Sequence, residues 1–159
     1  MRGDIVPDIE AYLPEHPFFA GLAAPTIALL ARHATEVRFE PGEYLFREGE
    51  PATQFVAVRQ GRITIELHTP AGGGAVLDTA HAGDVVGWSW LIPPYRWMFD
   101  ARSSEETDAV VFDAEALRAA CDADPGVGYA LTRRIAQVMA HRLQSARVRL
   151  LDLYGEVHD

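Results

Sequence analysis

The sequence predicts a mainly β domain, a sandwich or roll, framed by helices at both ends. Three observations carry this prediction. Between residues 36 and 112, short β-type runs recur with a glycine about every ten residues, the pattern of many short strands joined by tight turns. Residues 1–35 read as helical instead. From Pro125 onward, apolar residues stand at alternating spacings of 3 and 4, which is the seam of a long helix.

Each element follows in order. In the helical segment 1–35, Pro14 and Pro17 bracket a short opening stretch anchored by Phe18, Phe19 and Leu22. Pro25 suits a first helical turn, followed by Ile27, Leu29, Leu30 and Ala31. Strands are expected over 37–39, 44–46, 55–58, 63–67, 76–79, 85–87 and 110–112, with Gly42, Gly49, Gly61, the tract 71–74 and Gly83 at the turns. The clearest hairpin pairs 62–68 with 75–79 across an exposed tip at 69–74. After this roll (36–112), Asp113 can cap a short helix through Cys121, and Asp124-Pro125 opens another over about 125–154. Ala136, Met139, Leu143, Ala146, Leu150 and Leu153 form its seam. A homodimer is expected through this helix, with burial against the chain's own roll as the alternative. Helical segment, roll and the helices of 113–159 read as one domain, with no internal repeat.

Composition narrows the function. At 159 residues the chain can bury roughly 70% of its unfolded surface without staples. All 14 basic residues are arginine, against 23 acidic ones, for a net charge of -9. That balance argues against broad binding to nucleic acid or anionic membranes. Without lysine there is no Walker-type phosphate lysine, no pyridoxal Schiff base and no lysine general base. A single cysteine, Cys121, gives no intramolecular disulfide and no cysteine-rich metal site. No charged leader or membrane-length apolar run is evident, so a cytoplasmic protein is expected. Enzyme chemistry finds little support. Gly87, Ser89 and Leu91 make a near miss of the G-x-S-x-G elbow, lacking its second glycine and its strand–turn–helix setting. The six histidines form no H-x-H or H-E-x-x-H pair, and only His68 and His81 could approach one another across the hairpin region. The expectation is a non-enzymatic protein without metal or cofactor.

Several stretches carry a more specific signal. FEPGEYLFREGE (39–50) supplies a first glycine-bearing hairpin, FVAVRQGRI (55–63) a strand, glycine turn and strand, and AGDVVG (82–87) the approach to a cassette. MAHRLQ (139–144) lies on the long helix. With the helical lead and terminal helix, these resemble the cyclic-nucleotide-binding domain of the Crp/Fnr superfamily over about residues 15–154. The resemblance implies a double-stranded β-helix, a jelly-roll or cupin-like β-roll with N-terminal helices and a long C-terminal helix. It implies a sensory or regulatory role and a phosphate-binding cassette at 83–102. Transcriptional regulators of that superfamily carry a helix-turn-helix after the long helix. Here five residues follow Tyr154, so the expectation is a stand-alone sensory half without a DNA-reading element.

The cassette departs from the pattern of cyclic-nucleotide binders. In those relatives a glutamate for the ribose hydroxyl follows the glycine, and an arginine about ten residues later meets the cyclic phosphate. The corresponding run is GWSWLIPPYRWMFDAR (87–102), with Trp88 in the glutamate's place, and Phe99 beside Asp100 where the arginine would fall. It resembles a subgroup with this Trp-rich, double-proline segment. An indole cannot accept two hydroxyl protons and a carboxylate repels a phosphate, so cyclic AMP is not expected in the usual manner. Trp88, Trp90, Tyr95, Trp97 and Phe99 are open to three readings: core that fills the vacated pocket, a platform for a planar or apolar ligand, or a docking patch for a partner protein. Candidate ligand-binding residues are Gly87, Trp88, Ser89, Trp90, Arg96, Trp97, Ala101, Arg102 and Arg142. Arg96 and Arg102 are the available substitutes for the phosphate arginine, the latter depending on strand register. Arg142 falls where the family's long helix faces the pocket, and a stack on Trp88 would couple helix to cassette. Three functions stay open: a dimeric sensory domain with an altered pocket, a ligand-free assembly module, and a genuine cyclic-AMP or cyclic-GMP binder.

Overall fold

The computed structural model describes residues 2–4, 8–68, 70 and 74–158. Among the described residues the glycine-punctuated region forms eight strands, a ninth lies in the opening segment, and helices form on either side of the roll. In chain order these are β1 Arg2–Asp4, α1 Ile9–Tyr12, a 3-10 turn Leu13–Glu15, α2 Ala24–Ala31, β2 Ala34–Phe39, β3 Tyr44–Phe46, β4 Gln54–Gln60, β5 Arg62–His68, β6 Gly74–His81, β7 Val85–Val86, β8 Asp100–Ser103, β9 Thr107–Asp113, α3 Ala114–Ala123 and α4 Pro125–His158. Two antiparallel sheets result, in the orders β1-β2-β9-β4-β7 and β3-β8-β5-β6.

Register decides what each face does. Phe55 lies opposite Phe112, and Val56 opposite Val111 and Val86, so side chains alternate between two faces of the first sheet. The face with Phe55 and Phe112 is covered by the N-terminal aromatics: Phe18 stands 5.4 Å from Phe55 and Phe19 5.3 Å from Phe112, ring centre to ring centre. The other face joins Ile63, Ile65 and Ala101 of the second sheet in one buried cluster. A strand covered on both sides needs no polar alternation, and β4 accordingly buries four apolar residues in succession, Phe55, Val56, Ala57 and Val58. Gly61 makes the turn between β4 and β5 at φ +108°, where a Cβ would come within 2.5 Å of Thr107 Oγ1.

The hairpin forms with the expected pairing, from Arg62 opposite His81 to His68 opposite Gly74. Its tip residues 69 and 71–73 lie outside the described residues. This register also sets His68 and His81 at opposite ends of the ladder, so they do not approach one another. Asp113 caps α3 by accepting the Ala116 N–H. The opening segment departs from the helical expectation at both ends. Residues 2–4 pair with 36–38 as β1, and β2 begins at Ala34, because β2 would otherwise present an unpaired edge. Residues 1 and 5–7 of that segment, and Asp159 at the other end, lie outside the described residues.

His16 fastens this segment to the roll. Its Nε2–H donates to the Val58 carbonyl and its Nδ1 accepts the Phe18 N–H, each at 3.2 Å. Only the neutral ring can do both, and burial lowers its pKa despite the Val58 bond. A lowered pKa means that the unfolded chain binds the extra proton first. The stabilisation from His16 is therefore complete above about pH 6.5 and declines as pH falls toward the folded-state value. Urea titrations between pH 8 and 5 should show this loss, with a slope approaching about 1.4 kcal/mol per pH unit for one proton. His16→Gln, which keeps a donor and an acceptor but cannot titrate, should remove that share of the slope.

Candidate functional site: the aromatic cassette

The cassette leaves β7 at Gly87 and returns to the sheet at β8. Gly87 turns the chain at φ +76°, and a Cβ there would meet Trp97 at 2.6 Å and Phe99 at 3.3 Å. The missing side chain lets two aromatic rings close over the backbone. Trp97 stacks flat on Phe46 of β3, with centroids 3.7 Å apart and planes 6° from parallel. Phe99 leans on both rings, and half-buried Trp88 meets Phe99 edge-on at 6.5 Å.

Trp90 belongs elsewhere. It stacks on Phe55 at 4.6 Å, in the cluster that carries Phe18 and Phe112, and is wholly buried. The aromatics therefore divide into two clusters, one over Gly87 and one around Phe55, and do not present a single platform. Among the described residues, the Trp90 indole N–H is buried without an acceptor, a cost of about 1–3 kcal/mol that this stacking must offset. Ser89 beside it is buried.

Backbone pairing ties the cassette down. Tyr95 holds φ +59° and accepts the Ala52 N–H, while Trp97 exchanges N–H···O bonds with Glu50 and Gly49. Arg96 is exposed and donates to the Gly49 carbonyl at 2.9 Å. The residue that sequence reasoning missed is Arg118 on α3. It donates to the Trp90 carbonyl at 2.7 Å and the Ala52 carbonyl at 3.3 Å, and its guanidinium lies 4.3 Å over the Tyr95 ring. Three points on two turns meet one cation, and no sequence spacing announces it.

The remaining candidates separate. Ala101 pairs with Ile65 and is buried in the roll's interior. Arg102 pairs with Thr64 and Tyr44, which places it on the opposite, outer face. There its Nε donates to Glu66 at 3.1 Å, and the Thr64 hydroxyl donates to the same carboxylate at 2.6 Å. Glu66 is only 3% exposed, so this pair is consumed in structure. Asp100, the carboxylate in the cassette, is buried and accepts the Glu48 N–H at 2.7 Å. Arg142 does not stack on Trp88. Its Nη2 donates to the Val85 carbonyl at 2.6 Å and its Nε lies 3.7 Å from Asp78, so the guanidinium is held upstream of Gly87. Burial and Asp122 both push the Cys121 thiol upward.

Two cavities, of about 280 and 470 Å³, lie along α4, and no residue of 87–102 lines either one. A rolled pair of antiparallel sheets with a cassette between β7 and β8 and flanking helices is the architecture of a cyclic-nucleotide-binding-type β-roll. Residues 36–124 match the family model of the cyclic nucleotide-binding domain, and the chain belongs to that family. A CRP-like cAMP-activated global transcriptional regulator of Mycobacterium tuberculosis is 29% identical over 135 residues, 85% of this chain and 58% of that protein. An acetyltransferase of Mycolicibacterium smegmatis is 30% identical over 70 residues, 44% of this chain and 21% of that protein. Among solved structures, a putative cyclic nucleotide-binding protein from Geobacter metallireducens superposes with a TM-score of 0.78 at 22% identity, covering 84% of this chain and 97% of that one. The chain thus spans a little over half the length of the mycobacterial regulator it matches. Among the described residues no helix is long and apolar enough to cross a membrane.

Two glycine substitutions measure how tightly the rings close. Gly42 has φ +84° with nothing within 4 Å of its Cβ position, so Gly42→Ala incurs only the backbone strain, about 1–2 kcal/mol. Gly87→Ala adds the collision with Trp97. In urea unfolding it should lose at least about 2 kcal/mol more than Gly42→Ala.

Proposed function

We propose that the chain is a non-enzymatic, dimeric regulatory domain whose cassette is folded shut against cyclic nucleotides. One observation carries this reading: Trp97, stacked on Phe46, occupies the space above Gly87. The charges agree. Arg102 is spent on Glu66, Arg96 on a backbone carbonyl, and Asp100 adds a carboxylate where the family's binders bring an arginine. Regulation then runs through connection. Arg118 fixes the cassette to α3, and α3 leads directly into α4, so a displaced cassette pulls on the helix.

The pattern of burial along α4 supports dimerisation. Val127, Leu131 and Ile135 are buried against the chain's own fold, and Val138 and Met139 partly so. Beyond them the helix is bare: Leu143, Leu150 and Leu153 of the seam are exposed, as are Val148, Leu151 and Tyr154. Ala136 is exposed and Ala146 half-buried. A bare apolar stripe with a heptad period suits a second copy of the same helix.

Thermal unfolding tests the closed cassette. Cyclic AMP, cyclic GMP and cyclic dinucleotides at millimolar concentration should leave the midpoint unmoved. A ligand at about 100 times its Kd adds roughly 2.7 kcal/mol and raises it by several degrees. A shift abolished by Arg96→Gln or Arg102→Gln would show that one of them serves the phosphate and overturn the reading.

Sedimentation tests the helix. The Leu143→Asp, Leu150→Asp double variant should be monomeric while keeping the circular dichroism of the roll. A variant that remains dimeric would place the interface elsewhere.

A further inference from the structure

The long helix does not lie flush on the roll. Between α4, the turn at Gly83, Asp84 and Val85, and the N-terminal Pro17 and Phe18, it leaves a cavity of about 280 Å³. Phe18, Val85 and Val138 give it an apolar side, Phe18 and Val85 being buried in the core and Val138 packed against it. From α4 come Arg134, Gln137, His141 and Arg142.

The two arginines stand eight residues apart, about 12 Å along the helix, and both reach this cavity. Each is pinned by one nitrogen. Arg134 Nη1 donates to the Phe18 carbonyl and Arg142 Nη2 to the Val85 carbonyl, both at 2.6 Å. A guanidinium has five N–H donors, so each keeps several that its backbone carbonyl does not use. Among the described residues two carboxylates stand near them, and only Asp84 is in the lining. Asp84 lines the cavity but its Oδ2 already accepts the His81 N–H at 2.8 Å, and Asp78 stands 3.7 Å from Arg142 Nε. On α4 itself no acidic residue occurs between Asp124 and Asp152, in a chain whose net charge is -9. Two oriented guanidinium groups beside an apolar wall fit an oxyanion attached to a small apolar body.

We infer that this cavity, outside the cassette, binds a small molecule with an apolar body and a carboxylate or phosphate group, the oxyanion held by Arg134 and Arg142. The inference deepens the regulatory reading and rests on it. Arg134 straps α4 to the N-terminal segment and Arg142 straps it to the roll, so an occupant between them acts on the attitude of the helix without entering the closed cassette.

Calorimetric titration of the dimer with four probes tests the site: phenyl phosphate, phenylacetate, inorganic phosphate and benzyl alcohol. Phenyl phosphate or phenylacetate should bind saturably, one per chain, and more tightly than inorganic phosphate or benzyl alcohol. Whichever of the first two prevails tells phosphate from carboxylate. Arg134→Gln and Arg142→Gln should each weaken that binding by about tenfold. Gln137 is exposed on the cavity rim, so Gln137→Trp should block binding while leaving the melting midpoint and the dimer intact. No saturable binding of any probe by the folded dimer, or binding that survives Gln137→Trp, overturns the inference. Cyclic AMP binding that survives Gln137→Trp overturns the closed cassette alone, because the cavity stands or falls on the four probes.

Discussion

The stacking of aromatic rings on Phe55 joins parts of the chain that are far apart in sequence. Phe18 and Phe19 reach it from the N-terminal segment, Phe112 from β9 and Trp90 from the cassette, with ring centres between 4.6 and 6.2 Å away. Each aromatic pair adds about 0.5–1.5 kcal/mol beyond the area it buries. The geometry matters more than the sum. The ring fixes the helical layer on one face of the first sheet and draws the start of the cassette into that layer. Once Trp90 is there, the cassette must turn back toward β3 to rejoin the sheet. That return brings Trp97 onto Phe46 and over Gly87.

The path of the cassette rests on two anchors, Trp90 and Arg118. Trp90 is buried with an indole N–H that has no acceptor among the described residues, so stacking alone holds it against a desolvation cost. Arg118 supplies the polar half by taking the carbonyl of the same residue. The cation also lies over Tyr95, whose positive φ keeps the double-proline turn folded back toward α3. A loop held by a core ring and a cation from the next helix cannot move without that helix.

Much of the fold was legible in the sequence because its signals are local. Glycine turns, a capping aspartate and a 62–68/75–79 hairpin each state their geometry within a few residues, and β5, β6 and α3 formed where those signals placed them. The site was less legible because its contacts are not local. Whether Arg102 faces the interior depended on a register set by Ile65 opposite Ala101, and a shift of one residue would have reversed it. Arg142 was expected on Trp88, but a carbonyl two residues before Gly87 offered a stronger, directional acceptor. Arg118 carries no motif, and β1 covers the edge of β2 with three residues without strand character.

The two halves of α4 explain how one helix can be both core and lever. Its first four turns are committed to the roll through Val127, Leu131 and Ile135, spaced by four. Its later turns carry a different stripe, in which Leu143, Leu150 and Leu153 are exposed. The change falls near Met139 to Arg142, beside the cavity and the Val85 carbonyl. Arg149 donates to the Leu77 carbonyl of β6 at 3.3 Å, so the later turns keep a hydrogen bond to the roll while their apolar stripe stays exposed. Arg134 and Arg142 are the straps at that junction, Arg134 hydrogen-bonded to the Phe18 carbonyl in the N-terminal turn and Arg142 to the Val85 carbonyl of β7, with Asp78 3.7 Å from its Nε. A hydrogen bond to a backbone carbonyl contributes less than a buried ion pair, whose breaking costs several kcal/mol. Straps of the first kind suit the proposed regulatory role, in which the helix changes its attitude.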